Sequence, residues 1–249
     1  SGVEYGQLLE IGREIMESKR GKFQALYRYL IRKALLTPII FKPIGYFYRH
    51  SKISSKPIKP ETIQSRVLLM GGCVQPSLAP NINHSIKNIL AKLNIEVLES
   101  SQGQCCGALD QHLAASSEAM KKVKRNIDNW IAQLDSGVEA IISSASGCGV
   151  MIKDYPKLFK SSDPYFQKAL FVSSKTKDIA EFLSTRDLSG LNLSELNVTY
   201  HEPCTMQHGQ ELGGLVESIL SQFGYIKKTV KDSHICCGSA GAYSIFETK

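Results

Sequence analysis

No stretch of the chain approaches the roughly 18 uninterrupted apolar residues that a spanning helix needs, so no ordinary transmembrane helix is read from it. The N-terminus lacks the basic, then apolar, then small-residue succession of a secretory signal. There is no Gly-rich phosphate loop, no G-x-G-x-x-G after a strand and no supportable Ser–His–Asp pattern, which disfavours nucleotide binding and hydrolysis. The short Cys-x2–4-Cys hairpins of structural zinc sites are also missing. Acidic residues are scarce at the start. Residues 1–60 hold 12 Lys/Arg against 4 Asp/Glu, whereas the remainder holds 18 against 19, so the net charge of +7 belongs to one segment.

Seven cysteines are present. An odd number without a secretory signal argues against a closed disulfide framework and for a reducing, cytoplasmic compartment, where clustered thiols serve as metal ligands. The competing reading is a set of small buried hydrophobes; spacing has to decide between them.

At 249 residues the chain can bury one large core or two modest ones. Residues 1–62 read as a basic helical segment and linker: apolar residues recur at helical spacing, with breaks near Gly21, Pro38 and Pro43, and then a Pro/Ser/Lys connector. From residue 63 the texture changes. "RVLLMGG" (66–72), "IEVLES" and "VEAIISS" (138–144) read as buried strands. "NINHSIKNILAKLN" (81–94) reads as an amphipathic helix, and a long helix is predicted over roughly 111–135. Strands alternating with helices predict an α/β fold with a mostly parallel sheet. Functional groups gather past the carboxyl ends of such strands, and Cys73, Cys105, Cys106 and Cys148 are all predicted to lie where a strand gives way to a loop.

The pattern then repeats. Cys204, Cys236 and Cys237 each follow Cys73, Cys105 and Cys106 by 131 positions, in the same order of elements. A fixed offset of this kind marks a duplication, so two tandem Rossmann-like units are predicted, 63–195 and 196–249. The counterpart of Cys148 would fall at about position 279, past Lys249, and the second unit is therefore expected to be truncated.

Thiolates arriving one, two and one from "GGCV", "CCG" and "SGCG" suit an iron–sulfur cluster, with zinc as the alternative. A cluster is wider than one ion and can use a vicinal pair. Gly71, Gly72, Gly107, Gly147 and Gly149 would let backbone N–H groups approach the sulfurs. His201, His208 and His234 stand near the second set of cysteines and are weaker candidates, with His84 and His112 weaker again. No residue of an acid–base constellation is singled out.

The unit Cys-x31-Cys-Cys-Gly, present twice, resembles the CCG cysteine-rich domain of heterodisulfide reductase subunits and of iron–sulfur subunits of 2-hydroxy-acid oxidases. Within that group "GGCVQPSLAPNIN", "CCGALDQH", "SASGCGVMIKDY", "HEPCTMQHGQ" and "CCGSAGAYSIF" are most similar to glycolate oxidase iron–sulfur subunits. The opening "SGVEYGQLLEIGRE" is similar to the stretch that follows the ferredoxin-like module of those subunits. The resemblance implies such a module with two 4Fe–4S clusters upstream, and a completed second CCG unit downstream. It also implies a flavin-containing partner that oxidises glycolate to glyoxylate, and electrons passed to quinone or another acceptor. Cys73, Cys105, Cys106, Cys148, Cys204, Cys236 and Cys237 match the metal-binding cysteines, the cluster being of 4Fe–4S type. In one respect the chain departs from the heterodisulfide reductase pattern. Units of that type end in Cys-x-x-Cys, and the first of that pair is here Ala145, so disulfide reduction at a non-cubane cluster is not expected.

Two alternatives stay open: a lactate-utilisation iron–sulfur protein, and a zinc-binding or non-redox module that docks partners. The basic segment, residues 1–50, could lie on the anionic inner face of the cytoplasmic membrane or meet an acidic partner. Nucleic acid is not expected, as no recognition motif accompanies the charge.

Overall fold

The computed structural model describes residues 5–37, 57–100, 105–191, 197–228, 230–233, 235, 238 and 241–246. The chain opens with two amphipathic helices, α1 (Tyr5–Ser18) and α2 (Lys22–Leu36), separated at Gly21. Helix α2 stops at Thr37, whose backbone is extended, as the residue before a proline requires. Pro38 and Pro43 lie outside the described residues.

Four strands follow: β1 (Ser65–Leu69), β2 (Ile95–Glu99), β3 (Ala140–Ser143) and β4 (Thr176–Asp178). They form one parallel sheet in the order β2-β1-β3-β4. The period-2 alternation of β1 and β3 splits their side chains between two cores. Leu68 and Ile141 face Val123, Ile127 and Trp130 of α6 (Ser116–Asp135), together with Ile152 of α7 (Ser146–Lys153) and Val172 of α8 (Pro164–Lys175). Val67, Leu69 and Ile142 face Ile86 and Leu90 of α4 (Pro80–Lys92) and Phe182 of α9 (Ile179–Leu183). Both faces are covered, as the continuous apolar runs in these strands demand. Helix α3 (Gln75–Leu78) fills the turn after β1.

Two expectations need correction. The helix predicted over 111–135 is broken into α5 (Ala108–His112) and α6, because Ala114 takes a left-handed φ of 54° and ends the first piece. Cys148 does not sit in a loop. Helix α7 starts at Ser146, immediately after the Ala145 cap, so Cys148 occupies its first turn.

Further along, β5 (Asn197–Thr199) pairs in parallel with β6 (Ile226–Lys228), with α10 (Leu215–Gln222) between them and α11 (Tyr243–Phe246) beyond. The five-residue π-helical turn Thr205–Gly209, entered from Cys204, packs on α7. Ser146 Oγ meets Thr205 Oγ1 at 2.7 Å, and Gln210 Nε2 donates to the Ser146 carbonyl at 3.2 Å. Gly209 makes this approach feasible, since a Cβ there would stand 2.5 Å from Val150 Cγ2.

Gly209→Ala should therefore destabilise the protein by about 1–3 kcal/mol, the usual cost of overpacking. Gly190→Ala, where an added Cβ meets nothing within 4 Å, should stay within about 0.5 kcal/mol of the parent. Urea denaturation midpoints compare the two.

Candidate metal centre

Three chain turns at the carboxyl edge of the four-stranded sheet bring four sulfurs together. Cys73 follows β1, the vicinal pair Cys105 and Cys106 follows β2, and Cys148 stands in the first turn of α7 after β3. The vicinal pair diverges. Cys105 takes a hydrogen bond from Cys73, while the Cys106 thiol donates to Cys148 with 3.3 Å between sulfurs. Among the described residues no three His, Cys, Asp or Glu side chains close on a point as the donors of a single ion do. The sulfurs instead form two pairs, one on each side of the doublet.

Backbone donors face these sulfurs. The N–H groups of Val74, Gly107 and Ala108 hydrogen-bond Cys73, Cys105 and Cys106 respectively. Gly107 turns the chain after the doublet with a φ of 91°, a conformation costly for any residue with a Cβ. The thiol of Cys105 is pulled down to about 6 by the hydrogen bond from Cys73, then by the charge of Lys122 and the Gly107 N–H, against burial and Asp110. Its neighbours go the other way. Cys73 and Cys106 are pushed up, first by the hydrogen bonds that tie each to its paired sulfur and then by burial. The arrangement thus favours loss of the Cys105 proton over those of Cys73 and Cys106, and metal binding by thiols requires their protons to leave.

Beneath the doublet lies a polar network that the sequence reading did not anticipate. Asn126 Nδ2 donates to the Cys105 carbonyl and to Tyr155 Oη, both at 2.9 Å, and Tyr155 Oη donates to the Cys106 carbonyl at 2.9 Å. Both side chains are fully buried, and the Tyr155 ring stacks on Trp130 with 8° between planes. A signal was available: Asn126 interrupts the apolar row Ala119, Val123, Ile127, Trp130 on the inner face of α6. A second unanticipated group is the buried carboxylate of Asp110, which pairs with Arg32 of α2 and Lys122 of α6.

The remaining sequence candidates are placed less completely. Cys204 is exposed at the head of the π-helical turn that packs on α7. Cys236, Cys237 and His234 lie outside the described residues. His201 Nε2 is 3.2 Å from the Ser233 carbonyl, and His112 Nδ1 is 2.8 Å from Glu10 and 3.1 Å from Arg13 on α1. Neither of these two rings is engaged with the four sulfurs. His208 lies within the π-helical turn and His84 on α4.

A parallel α/β sheet with thiols gathered at its carboxyl edge defines a class. The chain belongs to the cysteine-rich domain (CCG) family, whose pattern matches residues 67–153 and 198–249. Within that class it is a homologue of glycolate oxidase iron–sulfur subunits. It is 36% identical to the "Glycolate oxidase iron-sulfur subunit" of Escherichia coli K12, over 98% of this chain and 65% of that protein. It is 24% identical to the "Probable glycolate oxidase iron-sulfur subunit" of Bacillus subtilis 168, over 100% of this chain and 66% of that one. "Lactate utilization protein A" of Bacillus licheniformis is 26% identical over 72% of this chain. The chain thus spans about two thirds of the length of the two glycolate oxidase relatives, 65% and 66%.

Tyr155→Phe removes the hydroxyl that donates to the Cys106 carbonyl, and should lower stability by about 1–3 kcal/mol. Tyr165→Phe makes the same chemical change at an exposed hydroxyl bonded to Asp128 and should cost less than about 0.5 kcal/mol. Equilibrium unfolding in urea distinguishes the two.

Proposed function

We propose that this chain is the electron-transferring iron–sulfur part of a flavin-dependent 2-hydroxy-acid oxidoreductase, with glycolate, oxidised to glyoxylate, as the substrate of the partner flavin subunit. One observation carries this reading: four thiols from three strand ends meet in two pairs, with backbone N–H donors on the sulfurs, in a homologue of glycolate oxidase iron–sulfur subunits. Cys73, Cys105, Cys106 and Cys148 would hold a cluster of 4Fe–4S type, because a doublet whose sulfurs point to opposite neighbours suits a multinuclear group better than one zinc ion. Cys204, Cys236 and Cys237 would serve the second of two tandem units, taken as 63–195 and 196–249 after the basic segment 1–62. When bound, such a group accepts and releases single electrons.

The protein's own part is to orient and to insulate. Asn126 and Tyr155 fix the peptide of the doublet, and Val74, Gly107 and Ala108 offset negative charge on sulfur. No acid–base group of this chain is needed, since C–H chemistry belongs to the flavin partner. Glycolate is favoured over lactate because the two glycolate oxidase relatives match 98% and 100% of this chain, at 36% and 24% identity, whereas lactate utilization protein A matches 72% of it at 26%.

Protein purified anaerobically should be brown and contain iron and acid-labile sulfide, and Cys148→Ser should lose most of both. Mixed with its flavin partner, it should be reduced by glycolate faster than by lactate, followed by optical bleaching. Stoichiometric zinc in place of iron after iron-replete growth would overturn the reading.

The basic segment supplies a docking face. Leu8, Ile11, Ile15, Leu26 and Leu30 are exposed along α1 and α2, and Phe23 is 85% exposed between Lys22 and the rest of α2. Among the described residues no helix is long and apolar enough to cross a membrane, so lipid contact through this face would be interfacial. Sedimentation with phosphatidylserine vesicles, abolished by high salt, would assign the face to the inner membrane surface on the way to quinone. Indifference to lipid would assign it to a protein partner.

A further inference from the structure

Asp110 stands four residues beyond Cys106 in α5, 1% exposed. Its two oxygens take different cations. Arg32 Nη1 of α2 donates to Oδ1 at 2.7 Å, and Lys122 Nζ of α6 donates to Oδ2. Arg32 is itself buried, and the side chain of Lys122 is only 22% exposed. Two cations on one carboxylate leave one positive charge in excess, in surroundings where charge is poorly screened. That excess lies close to the doublet: Lys122 stands one turn before Asn126 on α6, Asn126 Nδ2 reaches the Cys105 carbonyl at 2.9 Å, and Asp110, which holds Lys122, sits in the helix that begins directly after Gly107. Four converging thiols would bring concentrated negative charge to the same edge of the sheet once metal is held.

We infer that Lys122, seated by Asp110 and Arg32, is the charge-compensating residue of the centre formed by Cys73, Cys105, Cys106 and Cys148, and that it raises the reduction potential of that centre. The inference rests on the iron–sulfur reading above. Reduction adds a negative charge, so a fixed cation nearby favours the reduced form more than the oxidised one, and its removal favours the oxidised form. Asp110 and Arg32 act through Lys122 as positioning residues. Because Arg32 belongs to α2, the exposed docking helix is joined to the centre by one buried ion pair.

The test is an EPR-monitored redox titration of anaerobically purified wild type, Lys122→Met and Lys122→Arg. Lys122→Met should shift the reduced-to-oxidised ratio at a set potential about tenfold toward oxidised, a midpoint about 59 mV more negative for one electron. Lys122→Arg should stay within about threefold of wild type, a rescue that packing alone does not predict. If Lys122→Met fails to retain iron, Lys122→Gln, which keeps a donor for Asp110, is titrated in its place. Loss of iron from both, with retention in Lys122→Arg, shows that the cation is needed to hold the centre at all and supports the inference. An iron-loaded Lys122→Met or Lys122→Gln protein whose midpoint matches wild type overturns it. A wild-type protein free of iron and sulfide is a different result, and defeats the iron–sulfur reading itself.

Discussion

Two hydrogen bonds to main-chain carbonyls, from Asn126 to Cys105 and from Tyr155 to Cys106, hold the vicinal cysteines at the edge of the sheet. The doublet has no strand of its own to fix it, for β2 ends at Glu99. Its orientation comes from below, through side chains on α6 and on the 3-10 turn after α7, both packed in the core beneath the sheet. With that peptide fixed, Cys105 turns to Cys73 and Cys106 to Cys148. With it loose, a pair of adjacent thiols would have no reason to face opposite neighbours. Asn126 spends both of its amide protons here, on the Cys105 carbonyl and on Tyr155 Oη, while its Oδ1 has no hydrogen-bond partner among the described residues.

The charges around the site follow from the same packing. Helix α6 contributes Asn126 on its inner face and Lys122 one turn earlier, so one element supplies both the support of the doublet and the cation held by Asp110. Asp110 keeps that cation in place from α5, the short helix that Gly107 launches. Beyond its two thiols, the CCG motif supplies a glycine that allows the reversal carrying the following carboxylate under cover.

Much of the first sheet was legible in the sequence because β1 and β3 are uninterrupted apolar runs ended by glycine or serine. The meeting of Cys73, Cys105, Cys106 and Cys148 followed from where such strands end. Other features left no local trace. Ala114 breaks a helix with a left-handed backbone that alanine rarely adopts, and nothing in "HLAASS" announces it. Strand β4 is three polar residues, of which Thr176 and Asp178 are buried by their neighbours and not by their own hydropathy. The helical setting of Cys148 left no signal because α7 is capped by Ala145, with no side-chain cap hydrogen bond, instead of by serine or aspartate. The ion pair of Arg32 and Asp110 joins positions 78 residues apart, which no window on the sequence can see.

Helix α2 touches two distant parts of the chain at once. Arg32 reaches Asp110, while Arg28 lies over the Phe246 ring at 4.4 Å and Tyr27 meets the same ring edge-on at 5.9 Å. Helix α2 is therefore clasped in part by a residue more than 200 positions later, Phe246. During synthesis α2 emerges long before Phe246 and cannot complete its packing until that residue has left the ribosome, so its aromatic face waits through more than 200 residues of elongation for this neighbour.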